Sequence, residues 1–238
     1  MNRLLLALII SLWTLNCVGT DVGNPQQAPP QMHLEFSVFD DTASEALPMD
    51  NGLEIDEAWM VFTRLSLRHA DTCDEDVDLT LGEPIVADLL DPESVIGTRE
   101  LYYWRGEFCR FILHFDSIDA NQLPEGAPAE LGGHSIVIRG RRADGTAFEL
   151  RSDFSDRLRL DTEYEAFRLD ENPEILEVAF AANSWFDVTA LDAIESEGDL
   201  IVIDDESHVA LLDYFEAAVQ HSARLFRKDI LIATGEDG

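Results

Sequence analysis

Hydrophobic and polar residues alternate along most of the chain from Met32 onward. In "HLEFSVF" the residues Leu34, Phe36 and Val38 share one side, and in "EAWMVFTRLSLRH" Trp59, Val61, Thr63, Leu65 and Leu67 do the same. A period of two marks a strand with one face buried, because successive side chains of an extended backbone point to opposite faces. "VDLTL" and "PIVADLL" read as further strands, and "ELYYW" and "FCRFILHF" flank "RGE", a segment suited to a tight hairpin. Residues 116–133 contain Pro124, Pro128 and the pair Gly132 and Gly133, and read as loop. Beyond them "HSIVIRGRR" and "AFELRS" flank "ADGT", where Asp144 and Gly145 supply the positive φ angles of a hairpin turn. "YEAFRL", "EILEVAFAANSWF" with Leu176, Val178, Phe180 and Ala182 inward, and "DLIVID" complete the set.

Roughly nine or ten short strands with frequent turns predict a mainly β chain, an antiparallel β-sandwich of Ig-like or transthyretin-like character over residues 32–204. The period then changes. Val209, Leu212, Phe215, Val219 and Phe226 recur near helical spacing, with acids ahead of them and Arg224, Arg227 and Lys228 at the end. That charge order suits the helix dipole and predicts one C-terminal amphipathic helix over 205–228 packed on the sandwich, with 229–238 as a tail.

The front of the chain breaks the alternation. Leu4 to Leu15 is an apolar run behind a single cation, Arg3, and it ends at Cys17. A bilayer core needs roughly 20 apolar residues as a helix, so the run has the length of a signal peptide, 1–16, and not of a permanent span. Residues 17–31 carry Pro25, Pro29, Pro30, Gly19 and Gly23, which disfavour helix and strand and leave a flexible linker. A cysteine closing such a run is where a lipoprotein is cut and acylated; an ordinary secretory cut after Gly19 would instead discard Cys17.

The stretch "CVGTDVGNP" resembles the start of many uncharacterised bacterial lipoproteins, in which an acylated Cys precedes a short Asp/Val/Gly/Asn/Pro linker. That resemblance implies a lipidated Cys17 and attachment to a membrane. Val18, where an Asp would retain the protein at the inner membrane, implies an outer-membrane lipoprotein facing the periplasm or the surface. The order of leader, acidic linker, an early "DEAWMVFTRLSL" strand, a late "LEVAFAANSWF" strand and a helix also resembles secreted β-sandwich lipoproteins and MbnP-type copper-binding periplasmic proteins. This second likeness is one of pattern, so it places no copper ligand on a numbered residue.

Charge narrows the range of partners. Lys+Arg number 16 and Asp+Glu 48, a net charge of -32 at pH 7, while 46% hydrophobic residues are enough to bury a core. The summed field repels phosphate, which points away from nucleic acid and from anionic lipid surfaces. Solubility in a salty environment, calcium binding at carboxylate clusters and attraction to a cationic partner all fit such acidity; a solvated acidic face is the simplest of the three. On that reading sodium chloride raises the melting temperature, mostly below about 0.3 M, as the Debye length shrinks from about 30 Å at 0.01 M towards 3 Å at 1 M. A melting point indifferent to salt would mean that the acids are already paired.

Candidate chemistry is sparse. With Cys17 acylated, Cys73 and Cys109 remain as an even pair in a compartment that permits disulfides, and a bond between them is the expected role. No nucleophile motif of the GxSxG or SxxK type and no phosphate loop occurs, so no enzyme is expected. His33, His69 and His134 stand at predicted strand ends, where loops could gather them around copper or zinc. Asp71, Asp74, Asp76 and Asp78 form the densest acidic cluster, a calcium candidate without the central Gly and distal Glu of an EF-hand loop. Trp59, Tyr102, Tyr103, Trp104 and Trp185 would serve either a carbohydrate platform or the core. The expected function is a lipid-anchored, non-enzymatic interaction or scaffold module of the cell envelope with a protein or carbohydrate partner. The alternative is a periplasmic protein binding copper, zinc or calcium.

Overall fold

The computed structural model describes residues 30–39, 52–73, 79–81, 84–97, 101–162, 166–170, 173–195, 200–227 and 230–235. The expected leader, Cys17 and nearly all of the linker lie outside them, as do Asp74, Asp76 and Asp78. The strands are β1 (Gln31–Phe39), β2 (Glu54–His69), β3 (Leu79–Leu81), β4 (Ile85–Asp88), β5 (Val95–Gly97), β6 (Leu101–Tyr102), β7 (Gly106–Phe115), β8 (Ile136–Arg141), β9 (Ala147–Ser152), β10 (Arg157–Asp161), β11 (Phe167–Leu169), β12 (Glu174–Ala181), β13 (Leu200–Ile203), β14 (Ala223–Arg227) and β15 (Ile230–Gly235). The helices are α1 (Val188–Asp192) and α2 (Val209–Ser222).

The chain is mainly β, and its sheet is mixed, not clearly the antiparallel sandwich expected over 32–204. One mixed sheet runs in the order β13-β9-β8-β2-β7-β10-β15-β14-β12-β1-β6, with β3 and β4 also paired to β2, β5 to β4 and β11 to β7. It curls into a half-barrel. Among the described residues two strand pairs are parallel: β1 with β12, from Met32 opposite Glu174 to Phe39 opposite Ala181, and β13 with β9. Alternation reads the same in parallel and antiparallel strands, so only the pairing of segments far apart in the chain could decide this. The curl brings Val38 N to donate to Leu89 O at 3.2 Å, linking β1 to the turn that follows β4.

One apolar cluster fills the inner face. It includes Leu34, Phe36 and Val38 of β1, Leu176, Val178 and Phe180 of β12, and Leu211, Leu212, Phe215 and Val219 of α2. Its aromatic contacts include Phe36 stacked on Phe62 at 5.0 Å and Phe62 tilted on Phe115 at 4.8 Å. A smaller cluster, Val61, Val86, Ile118, Leu131 and Val137, sits on the opposite face of β2 with Trp59 half-buried against it.

Those two clusters correct the reading of β2. Trp59, Val61, Thr63, Leu65 and Leu67 do not share a face, because the pairing register shifts between Ile55 and Glu57 and again between Phe62 and Arg64. An extra residue in one strand reverses the parity of everything beyond it. Ile55, then Ala58, Met60 and Phe62, then Leu65 and Leu67 therefore face the main core, while Trp59 and Val61 face the other side. Gly140 stands opposite Ile55 at the first shift, where a Cβ would lie 2.8 Å from the Phe148 ring.

Other expectations divide. The "ADGT" hairpin forms, with Arg142 N donating to Thr146 O at 2.9 Å, but of the expected pair Gly145 alone, at φ 85°, takes a positive φ and Asp144 does not. The hairpin across "RGE" does not: β6 pairs with β1 at Gln31 and Met32, and β7 pairs with β2, β10 and β11. The helix expected over 205–228 ends at Ser222, and the tail expected over 229–238 contributes a strand at 230–235. "ARLFR" alternates, burying Ala223 and Leu225, and these residues pair with Glu177 to Phe180 of β12. Arg224 and Arg227, two of the cations read as a helix terminus, lie on a strand, and Lys228 lies outside the described residues.

Candidate functional site

Three strands of the half-barrel turn an unusual set of side chains outward. In β2 beyond the second register shift, Leu65 and Leu67 are buried in the core, so Arg64, Ser66 and Arg68 face away from it. In β7, Phe111, Leu113 and Phe115 are inward and Arg110, Ile112 and His114 outward; in β10, Leu158 and Leu160 are inward and Arg157, Arg159 and Asp161 outward. The register aligns them in three rows: Arg64, His114 and Arg157; Ser66, Ile112 and Arg159; Arg68, Arg110 and Asp161.

Five of the 16 basic residues of a chain at -32 therefore lie on one three-strand face. Like charges directly opposite across a ladder destabilise a sheet, yet Arg68 stands opposite Arg110. Arginines of β8 and the turn after it are set against acids: Arg139 bonds Glu149 at 2.6 Å and Glu57 at 2.7 Å, Arg141 bonds Asp56 at 2.6 Å, and Arg142 bonds Asp144 at 2.6 Å. A local rule broken in this way is expected at functional or strained sites.

The arginines line a groove of about 470 Å³. Its floor is Ile112, only 2% exposed, and its walls carry Arg68, Arg110, Arg157 and Arg159. Asp156 and Gln220 close one side, Gln220 Nε2 donating to Asp156 Oδ2 at 2.9 Å. A smaller groove of about 210 Å³ adjoins it, lined by Arg64, His114 and Asp116 and sharing Asp156 and Arg157. Arg110 is ion-paired with Asp161, and Arg68 donates to the Cys73 carbonyl at 3.5 Å.

The expected disulfide joins Cys73 to Cys109. It ties the 3-10 turn Ala70–Thr72 beyond β2 to β7, one residue from Arg110, and so holds in place the carbonyl that Arg68 contacts. The two cysteines are thus beside the site and not in it.

The metal candidates are scattered. His33 lies on β1 opposite Ile175, His69 ends β2 with its ring 4.6 Å from Phe108, His134 precedes β8, and Asp71 sits in the 3-10 turn. Among the described residues no group of three or more His, Cys, Asp or Glu is placed to hold a metal ion. The aromatic candidates divide too: Tyr103 and Trp185 are fully buried, Trp59 packs on the smaller cluster, and Tyr102 and Trp104 are exposed. No family model matches the chain, and neither a curated protein nor a solved structure matches it.

Several acids away from the groove have shifted titrations. Burial raises Glu35, and the nearby Glu177 and Glu93 add to it. Burial also raises Asp88, and raises Glu216 despite the hydrogen bond it accepts from Ser152. At Glu149 burial pushes upward but the bonds from Arg139 and Arg151 outweigh it, leaving the carboxyl below its ordinary value. For the three raised groups the folded state holds more protons than the unfolded chain at pH above their ordinary values of 3.8 and 4.5, so stability increases as pH falls from neutral through that window. Glu149 acts oppositely, losing its contribution as pH falls below 4.5. The melting temperature at about pH 5 should therefore exceed that at pH 7 in constant salt, relief of acidic self-repulsion adding to the effect. A fall in melting temperature over that interval would contradict the assignment.

Proposed function

We propose that this protein is an exported cell-envelope module, tethered through an acylated Cys17, that performs no chemistry of its own and docks an anionic group on the arginine face of β2, β7 and β10. The observation that supports the docking role is the register of that face, which sets arginine against arginine and histidine in a chain dominated by acids. A half-barrel whose interior is filled by Phe36, Phe62, Phe111 and Phe115 leaves its business on the outside. Docking there is a matter of charge-assisted hydrogen bonds, in which arginine matches oxyanions by its fork of donors.

Binding to polyglutamate and to polyphosphate in about 0.15 M sodium chloride tests the role. The wild type should bind at least one of them, and Arg157→Gln with Arg159→Gln should weaken binding about 100-fold, on roughly 1.5 kcal/mol for each charge-assisted bond lost. A wild type that binds neither, or a double variant that binds as well, would remove the arginine face from the account. The tether has its own test: Cys17→Ser should abolish labelling by a fatty-acid analogue and move the protein to the soluble fraction. Membrane association that survives the substitution would refute it.

A further inference from the structure

We propose that the end of the half-barrel at which β1 begins rests on a bilayer of zwitterionic lipid, with Trp104, Tyr102, Ile230 and Leu231 set into its interface; this rests on the reading of Cys17 as an acylated tether. The distribution of exposed apolar side chains makes the first argument. Among the described residues eight large hydrophobic side chains are exposed, and five of them, Tyr102, Trp104, Ile175, Ile230 and Leu231, lie at this one end. Strand pairing puts them there. Tyr102 of β6 stands opposite Gln31, the first residue of β1, and Ile175 stands opposite His33. Ile230 and Leu231 stand opposite Arg227 and Phe226, and Arg227 Nη2 donates to Glu174 Oε2 at 3.1 Å, where β12 begins beside Met32. Trp104 just precedes β7, whose Phe108 pairs with His69, the last residue of β2. Leu200 lies at the other end, linked through Ala147 and Arg141 to Glu54, the first residue of β2. Trp104 is 71% exposed and Ile230 67%, so neither serves the core.

The tether makes the second argument. The chain enters the fold at Pro30, whose carbonyl accepts from Tyr103 N at 3.1 Å, so the pull of an anchored Cys17 arrives next to Trp104. From Cys17 to Pro30 there are about 13 residues, and a flexible chain of that length has an r.m.s. span of about 20 Å. A domain of about 200 residues has a radius of gyration of about 16 Å. Such a tether holds the near end against the bilayer and keeps the far end away from it.

Chemistry selects the occupant. Tryptophan and tyrosine concentrate at the headgroup level of membranes, where an apolar body is buried and a polar tip stays wet, and the isoleucines and leucine beside them suit the acyl boundary below. A sugar would stack on the two rings and leave those aliphatic side chains in water. A second copy would bring together two chains of net charge -32, and an anionic membrane would meet the same repulsion, so neutral headgroups fit best. A few side chains bind a membrane weakly by themselves, which is why the Cys17→Ser protein is still expected in the soluble fraction. The tether raises their effective concentration at the surface and makes the contact persistent.

Tryptophan fluorescence of the acylated full-length protein, in phosphatidylcholine vesicles with brominated acyl chains, tests the proposal. Bromine should quench a component of the emission, and Trp104→Phe should abolish that quenching, because Trp185 is fully buried and Trp59 packs on the smaller cluster. In the Trp104→Phe background, Ile230→Trp should restore the quenching and Leu200→Trp should not, which separates the resting face from any effect on the fold. Acylated protein that stays on the vesicles without quenching at Trp104, or with equal quenching at positions 230 and 200, overturns the resting face and leaves the tether intact. Protein that does not associate with the vesicles at all overturns both. Sedimentation of Cys17→Ser protein without lipid should show a monomer; a dimer that Trp104→Ser dissolves would overturn the proposal in favour of a second copy.

Discussion

Replacing Trp185 by alanine should destabilise the protein by about 3–5 kcal/mol, the range for removing a buried aromatic side chain and leaving its cavity. Trp185 has no exposed surface and sits between Phe180, 6.1 Å away, and Phe215 of α2, 5.7 Å away, both in edge-to-face geometry. Its Nε1 donates at 2.9 Å to Ser222 Oγ, which itself donates to Val219 O at 2.9 Å. This one side chain therefore joins the end of β12 to the last turn of α2. For a domain of this size each kcal/mol lowers the melting temperature by about 2–4 °C, so a fall on the order of 10 °C is expected in a thermal melt. Trp185→Phe should recover most of the packing but leave the buried hydroxyl without its indole donor. The effect reaches the groove, because Gln220 stands two residues before Ser222 and should lose its fixed position beside Asp156. A loss below about 1 kcal/mol for the alanine variant would show that α2 is held by something else.

The second large effect is expected from Cys73→Ser with Cys109→Ser. The bond closes a loop of sequence separation 36, for which the chain-entropy model gives about 3–4 kcal/mol. Beyond stability, the bond holds the turn whose Cys73 carbonyl accepts from Arg68, a side chain only 7% exposed at the wall of the groove. The double variant should melt about 6–16 °C lower and, at a temperature where it is still folded, bind anions more weakly than wild type. Equal anion binding with lower stability would confine the disulfide to a structural role. An unchanged melting temperature would contradict the stabilising role altogether.

How much of this could be read beforehand varies with how far apart the interacting residues are. The outward arginines were present in the alternation of "TRLSLRH", "CRFILHF" and "RLRLD", one strand at a time. Nothing local says that position 64 and position 157 both stand beside 114, or that 68 stands beside 110, and a net charge of -32 argues against any basic face. The end of α2 was obscured for a related reason. Arg224 and Arg227 resemble the cations of a helix terminus, and only the pairing of Ala223 to Phe226 with β12 shows that the period has already changed to two.

Short-range chemistry was determined by the amino-acid sequence alone: the strand faces of β1 and β12, where Leu34, Phe36 and Val38 and Leu176, Val178 and Phe180 alternate into the core, and the turn at Asp144 and Gly145. An even pair of thiols was likewise enough to expect the bond between Cys73 and Cys109. Tertiary structure decided the parallel pairing of β1 with β12, the two register shifts that turn Trp59 and Val61 away from the core, and the assembly of the arginine face. The physical reason is common to all three. Alternation fixes which side of its own strand a residue occupies, whereas partner, direction and register are set by the collective burial of the whole inner face, to which segments 40 to 140 residues apart contribute together.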